Sequence, residues 1–279
     1  MNLIQGSPEW LEARKSFVTA TDAAVVMNLS PWMSPYSLWR QKMNLDPPQV
    51  QTPAMARGNE LEPIARNWFI NYTGIQCHPQ VVIKDFMMAS LDGLAESGDF
   101  VLEIKCGEKS YIQAKNGDIP DYYMCQMQHQ MECSNVDHAM YVAFDGQTGI
   151  VMEVKRNQDF INMMIEKERA FYDCLIQFNP PEMDTKDYKT RCDKEWLDIA
   201  DQYKIAYQEL EIAEKREHEL KQKLIHLAGS QNSMGSGIKL SKVPRRGAVE
   251  YSKIPNLNGV NLDEYRKSPI EYWKLTVSG

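Results

Sequence analysis

Through the first 180 residues the apolar positions come as short blocks and as stripes with a period of three to four, and the two patterns interleave. Residues 81–83, 87–91 and 101–104 are brief apolar runs bounded by turn formers and read as strands of a mixed sheet. The runs 139–144 and 150–154, separated by Asp145-Gly146 and Thr148-Gly149, read as a closing hairpin. Helical stretches lie between these runs. Ser7-Pro8-Glu9-Trp10-Leu11 supplies a capping residue, a proline for the first turn and an early glutamate, with Arg14 near the helix end. A second helix begins around residues 19–22. A turn-rich loop at 31–35 leads into a short helix carrying Tyr36, Leu38 and Trp39, aromatics and an aliphatic whose role is packing. Residues 53–72 form a long helix with Leu61, Ile64, Ala65, Trp68 and Phe69 on one stripe, ending at Gly74. A helix over 120–131 sets Gln126 and Gln130 on one face, and a helix over 160–178 finishes the core.

Beyond Pro180-Pro181 the period changes. A heptad places Trp196, Ile199, Tyr203, Ala206, Leu210, Ala213, Leu220, Leu224 and Leu227 on one seam, interrupted at Glu217. Such a helix is either a coiled-coil strand or a helix docked on the core. A Gly/Ser-rich turn over 229–237 follows, then a basic patch of Lys239, Lys242, Arg245 and Arg246 and a tail with Tyr251, Tyr265 and Tyr272. The patch suits either a DNA contact or a solvated strand edge. The expected organisation is a core over 1–180 and an appendage over 181–279, with a long helix and a short β region.

Composition narrows the class. The 279 residues carry a formal charge of −7, which argues against a protein that coats nucleic acid over its whole surface but leaves room for a local basic channel. An ordinary acidic cytosolic protein would have the same balance. No apolar run approaches membrane-spanning length and no signal peptide is recognisable, so the expectation is a soluble cytoplasmic protein without a membrane partner. Six cysteines, Cys77, Cys106, Cys125, Cys133, Cys174 and Cys192, are scattered without CxxC pairing and read as reduced thiols.

Candidate chemistry concentrates between Ser90 and Lys105. Glu103 and Lys105 alternate with Ile104 along one strand, and a turn at Glu96-Ser97-Gly98-Asp99 would fold Asp92 back beside Glu103. Two carboxylates with a lysine beside them suit a divalent metal with hard oxygen ligands, magnesium or manganese, that activates a water and stabilises charge on a phosphate. The lysine would orient or deprotonate that water. Near the N-terminus, Arg14, the Thr21 hydroxyl and the free N–H groups of a new helix could form an anion site. A plain helix cap beside a solvated arginine accounts for the same residues.

Asp92 followed by Glu103-Ile104-Lys105 resembles the PD-(D/E)xK nuclease signature, with Leu91 where the signature has proline. Three further stretches, Arg14-Lys15-Ser16-Phe17-Val18-Thr19-Ala20-Thr21-Asp22, the run from Arg57-Gly58 to Glu62, and Tyr123-Met124-Cys125-Gln126-Met127-Gln128, resemble in order and spacing the phage lambda exonuclease and YqaJ-type viral recombinase family. The likeness covers roughly residues 7–175 and does not reach the last hundred. It implies an α/β restriction-endonuclease-like core, a mixed central sheet flanked by helices, followed by the helical and β appendage. It also implies that Asp92, Glu103 and the Ile104 carbonyl hold Mg2+ or Mn2+, that Lys105 assists the nucleophile, and that Glu62 and Gln126 support them. Arg14, Thr21 and Ser90 would bind substrate, the first two in a pocket for a 5′-phosphate. Taken on their own positions, Glu62 and Gln126 are polar residues on solvated helix faces. The implied activity is removal of one strand of duplex DNA from its 5′ end, leaving a 3′ overhang for a single-strand annealing partner, by a homotrimeric ring in a bacterial host cell. A nicking or structure-specific endonuclease and a non-catalytic DNA-end scaffold are the alternatives.

Overall fold

Ser7 caps the first helix, α1 (Pro8–Ser16), by accepting the Trp10 N–H at 3.2 Å, and Pro8 occupies the turn where a missing donor costs nothing. The computed structural model describes residues 3–47, 52–243 and 260, and the chain divides into two compact units, 1–189 and 190–279. In the first unit α1 is followed by β1 (Val18–Thr19), α2 (Ala20–Val26), α3 (Pro35–Lys42) and α4 (Pro53–Thr73). Ser34 and Thr52 cap α3 and α4, and Gly74, at φ +73°, ends α4 in the left-handed conformation that glycine adopts without strain. Then come β2 (Cys77–Lys84), β3 (Met87–Ala95), β4 (Phe100–Cys106), α5 (Glu108–Lys115), α6 (Asp121–Ser134), β5 (His138–Phe144), β6 (Gly149–Lys155) and α7 (Gln158–Ile176).

The strands form one mixed six-stranded sheet in the order β1-β3-β4-β5-β6, with β2 also paired to β3. β1 runs parallel to β3 and β5 parallel to β4, while the β2–β3, β3–β4 and β5–β6 pairs are antiparallel. The parallel β4–β5 step needs a crossover, and α5 and α6 supply it. One apolar cluster joins α2, α3, α6 and α7 to one side of the sheet. A second, with Ala65, Phe69, Leu102, Ile104, Val142 and Phe144, seats α4 on the sheet. Of the apolar stripe expected on α4, Ala65 and Phe69 are buried, but Ile64 is 52% exposed, because only one narrow strip of that helix meets the sheet.

Several elements depart from the pattern-based reading, the short strand β1 among them. Helix α5 was not expected, since its sequence EKSYIQAK buries only Ala114 and leaves Ile112 half exposed. The segment after Pro181 stays with the core through a 3₁₀ turn at Thr185–Asp187, where Asp187 accepts the hydroxyls of Ser34 at 2.5 Å and Ser37 at 2.7 Å.

Helix α6 is buried from Cys125 through Cys133 although half of that stretch is polar. His129 explains part of this. Its Nδ1 lies 2.8 Å from Glu168 of α7 and its Nε2 lies 3.2 Å from the Met88 carbonyl, and His129 and Glu168 are both fully buried. Burial opposes charge on this ring, but Glu168 and, less, Cys133 outweigh it and hold the imidazole pKa well above its ordinary value. A group raised on folding stabilises the fold fully below its unfolded pKa, about 6.5, and loses that contribution as pH rises through the folded value. Glu168→Ala is therefore expected to cost roughly 3–5 kcal/mol in urea denaturation at neutral pH. It should also remove the decline in stability expected of the unsubstituted protein as pH rises above neutrality; equal pH profiles would exclude a charged pair.

The second unit comprises α8 (Lys194–Ala228), capped by Asp193, and a small antiparallel pair, β7 (Ser233–Gly235) and β8 (Ile238–Leu240). The 229–237 stretch expected as a turn thus contains a short strand. No residue of α8 is buried, and Trp196, Ile199, Tyr203, Leu210, Leu220, Leu224 and Leu227 of its seam are all exposed. Lys239 and Lys242 are exposed, while Arg245, Arg246, Tyr251, Tyr265 and Tyr272 lie outside the described residues. Among the described residues no helix is long and apolar enough to cross a membrane.

Candidate active site

The sheet is interrupted where the acidic residues gather. On one edge of β3, β1 pairs with Met87 and Met88 and β4 pairs with Gly93 and Leu94, and the residues between, Ser90 and Asp92 among them, pair with neither. Asp92 uses the gap. Its Oδ2 accepts the Ile104 N–H at 2.7 Å, taking a backbone donor that a continued ladder would have used. Gly93 permits the close approach, since a Cβ there would lie 3.0 Å from Cys77 Cβ and 3.1 Å from Leu102 Cβ.

Glu103 sits opposite and is only 1% exposed. Its Oε1 accepts the Gln126 amide at 2.7 Å and pairs with the Lys105 ammonium, and its Oε2 accepts the Gln130 amide at 2.5 Å. Gln126 and Gln130 come from successive turns of α6, so one helix face grips both oxygens of one carboxylate. Lys105 also donates to Gln126 Oε1 at 3.3 Å and lies 4.7 Å from the centre of the Tyr123 ring. From the other side of the sheet, α4 contributes Glu62 and Arg66. Arg66 pairs with Glu62 and donates its Nε to the Asp92 carbonyl at 2.5 Å. Glu60, two residues before Glu62, is exposed and takes no part.

The charges within this cluster are poorly balanced. Burial, then Glu103 and Glu62, push the Asp92 carboxyl well above the usual carboxylate range. Burial also raises Glu62, with Glu103 adding to it and Arg66 opposing it. For Lys105 burial disfavours the ammonium, but Glu103, Asp92 and Tyr123 outweigh it and keep the group charged. Three carboxylates, Glu62, Asp92 and Glu103, repel one another and share two cations, Lys105 and Arg66, and their donors are hard oxygens. The donor set fits magnesium or manganese. Glu103 retains a free lone pair on Oε2 and Asp92 retains one carboxylate oxygen beyond its bond to Ile104. Among the described residues no three acidic, histidine or cysteine side chains form a ligand group on their own. Magnesium commonly takes one or two carboxylates and fills its remaining positions with water and phosphate oxygens.

The anion-site residues lie on one connected chain. Ser90 of β3 accepts the Trp10 indole N–H at 2.8 Å, the Arg14 guanidinium lies 4.6 Å over the Trp10 ring, and Arg14 donates to the exposed Thr21 hydroxyl at 3.3 Å. Thr21 in turn lies 3.1 Å from the Thr19 hydroxyl. Beneath them is a buried pair that sequence reasoning did not single out. Lys42 Nζ contacts Asp22 at 2.7 Å and the carbonyls of Arg14 and Phe17 at 2.7 and 2.8 Å, and Asp22 accepts the Thr19 N–H at 2.8 Å. Burial opposes ionisation of Asp22, yet Lys42, with Arg14 and Thr19, holds its carboxyl below the usual range. Lys42 thereby ties the end of α1 to the start of α2 and fixes the spacing of Arg14 and Thr21. The structure thus gathers Glu62, Asp92, Glu103, Lys105 and Gln126 in one place. It links Ser90 to Arg14 and Thr21 through Trp10, and it adds Gln130, Arg66 and Lys42.

Residues 9–137 match the YqaJ-like viral recombinase domain. The chain is 25% identical to the uncharacterized protein YqaJ of Bacillus subtilis over 63% of its own length and 59% of that protein, so it spans about three fifths of this relative. An alkaline exonuclease from Laribacter hongkongensis aligns with a TM-score of 0.55 and 27% identity, over 62% of this chain and 94% of that one. The dAMP complex of that exonuclease aligns with the same TM-score and coverage at 26% identity. Through its first unit, with a mixed sheet flanked by helices and the Asp92, Glu103-x-Lys105 cluster at its interrupted edge, the chain is similar to the YqaJ-like viral recombinase domain and to an alkaline exonuclease.

Proposed function

We propose that the protein is a metal-dependent deoxyribonuclease that degrades one strand of duplex DNA from its 5′ end. One observation supports this above the others: Glu62, Asp92, Glu103, Lys105 and Gln126, drawn from two strands and two helices on opposite sides of the sheet, gather in one cluster of carboxylates beside a charged lysine. The similarity to an alkaline exonuclease, and to the dAMP complex of that enzyme, supports the same reading. Asp92 and Glu103, with the Ile104 carbonyl, would hold Mg2+ or Mn2+, which when bound polarises the phosphate and lowers the pKa of a ligand water. Gln126 and Gln130 fix the Glu103 carboxylate. Lys105 orients the attacking water and stabilises charge building on the phosphate. Arg66 holds the β3 backbone at Asp92 and keeps Glu62 facing the cluster.

Arg14 and Thr21 are the residues we assign to the 5′-phosphate, with Ser90 fixing Arg14 through Trp10. Arg14→Ala is expected to lower the preference for 5′-phosphorylated over 5′-hydroxyl ends about 10- to 100-fold, since a charge-assisted contact is worth roughly 1.5–3 kcal/mol. Competing the two ends in one reaction measures this. Equal loss on both would make Arg14 a general DNA contact.

The product would be a 3′ overhang for a single-strand annealing partner in the bacterial cytoplasm. A homotrimer that encloses DNA would let a chain of charge −7 stay on its substrate without a broad basic surface. Linear duplex and covalently closed circles of the same sequence test the end requirement. We expect digestion of the linear form alone, and nicking of the circle would favour an endonuclease.

A further inference from the structure

Trp32 is 69% exposed, in a loop between α2 and α3 whose flanking serines are buried, Ser30 at 6% and Ser34 at 0%. A large aromatic held out to solvent between two buried anchors needs an explanation. The loop is braced from behind at both ends by the Thr185–Asp187 turn. Lys186 donates to the Ser30 carbonyl at 2.9 Å, Asp187 accepts the Ser34 hydroxyl at 2.5 Å, and the Trp32 N–H donates to Ser30 Oγ at 3.3 Å. The ring is backed as well. Trp32 and Tyr122 meet edge to face with centroids 5.0 Å apart, Tyr122 and Tyr123 do the same at 4.4 Å, and the Lys105 ammonium lies 4.7 Å from the Tyr123 ring centre. A continuous line of aromatic contacts therefore runs from an exposed indole to the lysine of the candidate active site.

Hydrophobic packing alone does not account for this, because the indole keeps most of its surface in water while its backbone is fixed. A rigid, pre-positioned aromatic face loses little conformational freedom when it binds a flat partner. The partner with a flat π-face that must pass near Lys105 is a nucleobase. We propose that Trp32, supported by Tyr122, is a stacking platform for a base of the DNA strand that leads to the Lys105 site. This rests on the reading of that site as a nuclease centre and adds a contact that carries no charge.

The full-length chain, in calcium to slow turnover, is titrated with a duplex carrying 2-aminopurine near its 5′ end. Trp32→Ala is expected to weaken binding about tenfold and to remove the stacking-dependent change in 2-aminopurine fluorescence, while Trp32→Phe keeps both within about twofold. The dependence of affinity on salt should match the unsubstituted protein, because no phosphate contact is lost. Wild-type affinity and an unchanged fluorescence signal for Trp32→Ala would overturn the proposal. So would a change in oligomeric mass with DNA affinity intact, which would make Trp32 a protein contact. If the unsubstituted protein neither binds nor cuts DNA, the nuclease reading itself fails. If it does both and Trp32→Ala behaves like it, only the stacking platform fails.

Discussion

Lys105→Ala is expected to reduce phosphodiester cleavage by about 10²–10⁴-fold while the protein still folds and binds duplex, at a stability lowered by the loss of the buried charge partner of Glu103. The ammonium sits among Glu103, Gln126 and the Tyr123 ring, and burial alone would have favoured its neutral form. This position matches the role proposed for Lys105 on a water and a phosphate. Removing it leaves Glu103 still bonded by Gln126 and Gln130, so the carboxylate keeps its position. Single-turnover rates at saturating protein measure the chemical step apart from binding. Turnover within a few-fold of the unsubstituted rate would remove Lys105 from the reaction.

Asp92→Asn should have an effect of similar size for a different reason. An asparagine oxygen can still accept the Ile104 N–H at the Asp92 position, so the β3–β4 geometry survives while the charge is lost. Cleavage should fall by about 10²–10⁴-fold, and calorimetry with magnesium or manganese should show weakened binding. Stability should move the opposite way. Burial and the charges of Glu103 and Glu62 already disfavour the Asp92 carboxylate, so a neutral side chain relieves repulsion in metal-free protein. An increase on the order of 1 kcal/mol corresponds to about 2–4 °C in Tm in chelator. Unchanged metal affinity would place the cation elsewhere. A lower Tm would mean that the Asp92 charge is structural.

The parts of the fold that were legible are those whose burial follows a period. β3, β4, β5 and β6 announce themselves as apolar runs between turn formers, and the Glu96–Asp99 turn brings Asp92 to Glu103 through the register Gly93↔Leu102. Helices α1, α3 and α4 carry their caps in sequence, Ser7, Ser34 and Thr52. Helix α5 carries no such signal, because its stabilisation comes from packing on the sheet rather than from a stripe. Helix α6 misleads in the other direction. Gln126 on its own position reads as a residue of a solvated face, and Gln128, His129, Gln130 and Glu132 are polar as well, yet all are buried, because each finds a long-range partner: Glu103, the Lys155 carbonyl, Glu168, Glu103 again, and Lys84 with Arg156. The same holds for Asp22 and Lys42, whose pairing spans twenty residues and is invisible to local pattern. The candidate residues Asp92, Glu103 and Lys105 are legible as a motif and Gln130 as a neighbour of Gln126 on one helix face, but the neighbours Arg66 and Lys42 become visible only when distant segments are brought together.

The proposed activity is hydrolysis of DNA from one end of one strand with a divalent cation. Linear duplex bearing 5′-phosphates, with distinct labels at the 5′ and 3′ ends of the same strand, tests it in a single time course in magnesium and in chelator. A 5′-end exonuclease releases the 5′ label early as mononucleotide, leaves the 3′ label on a shortening strand, and releases nothing in chelator. Release of the 3′ label first, or equal cleavage in chelator, would contradict the proposed activity.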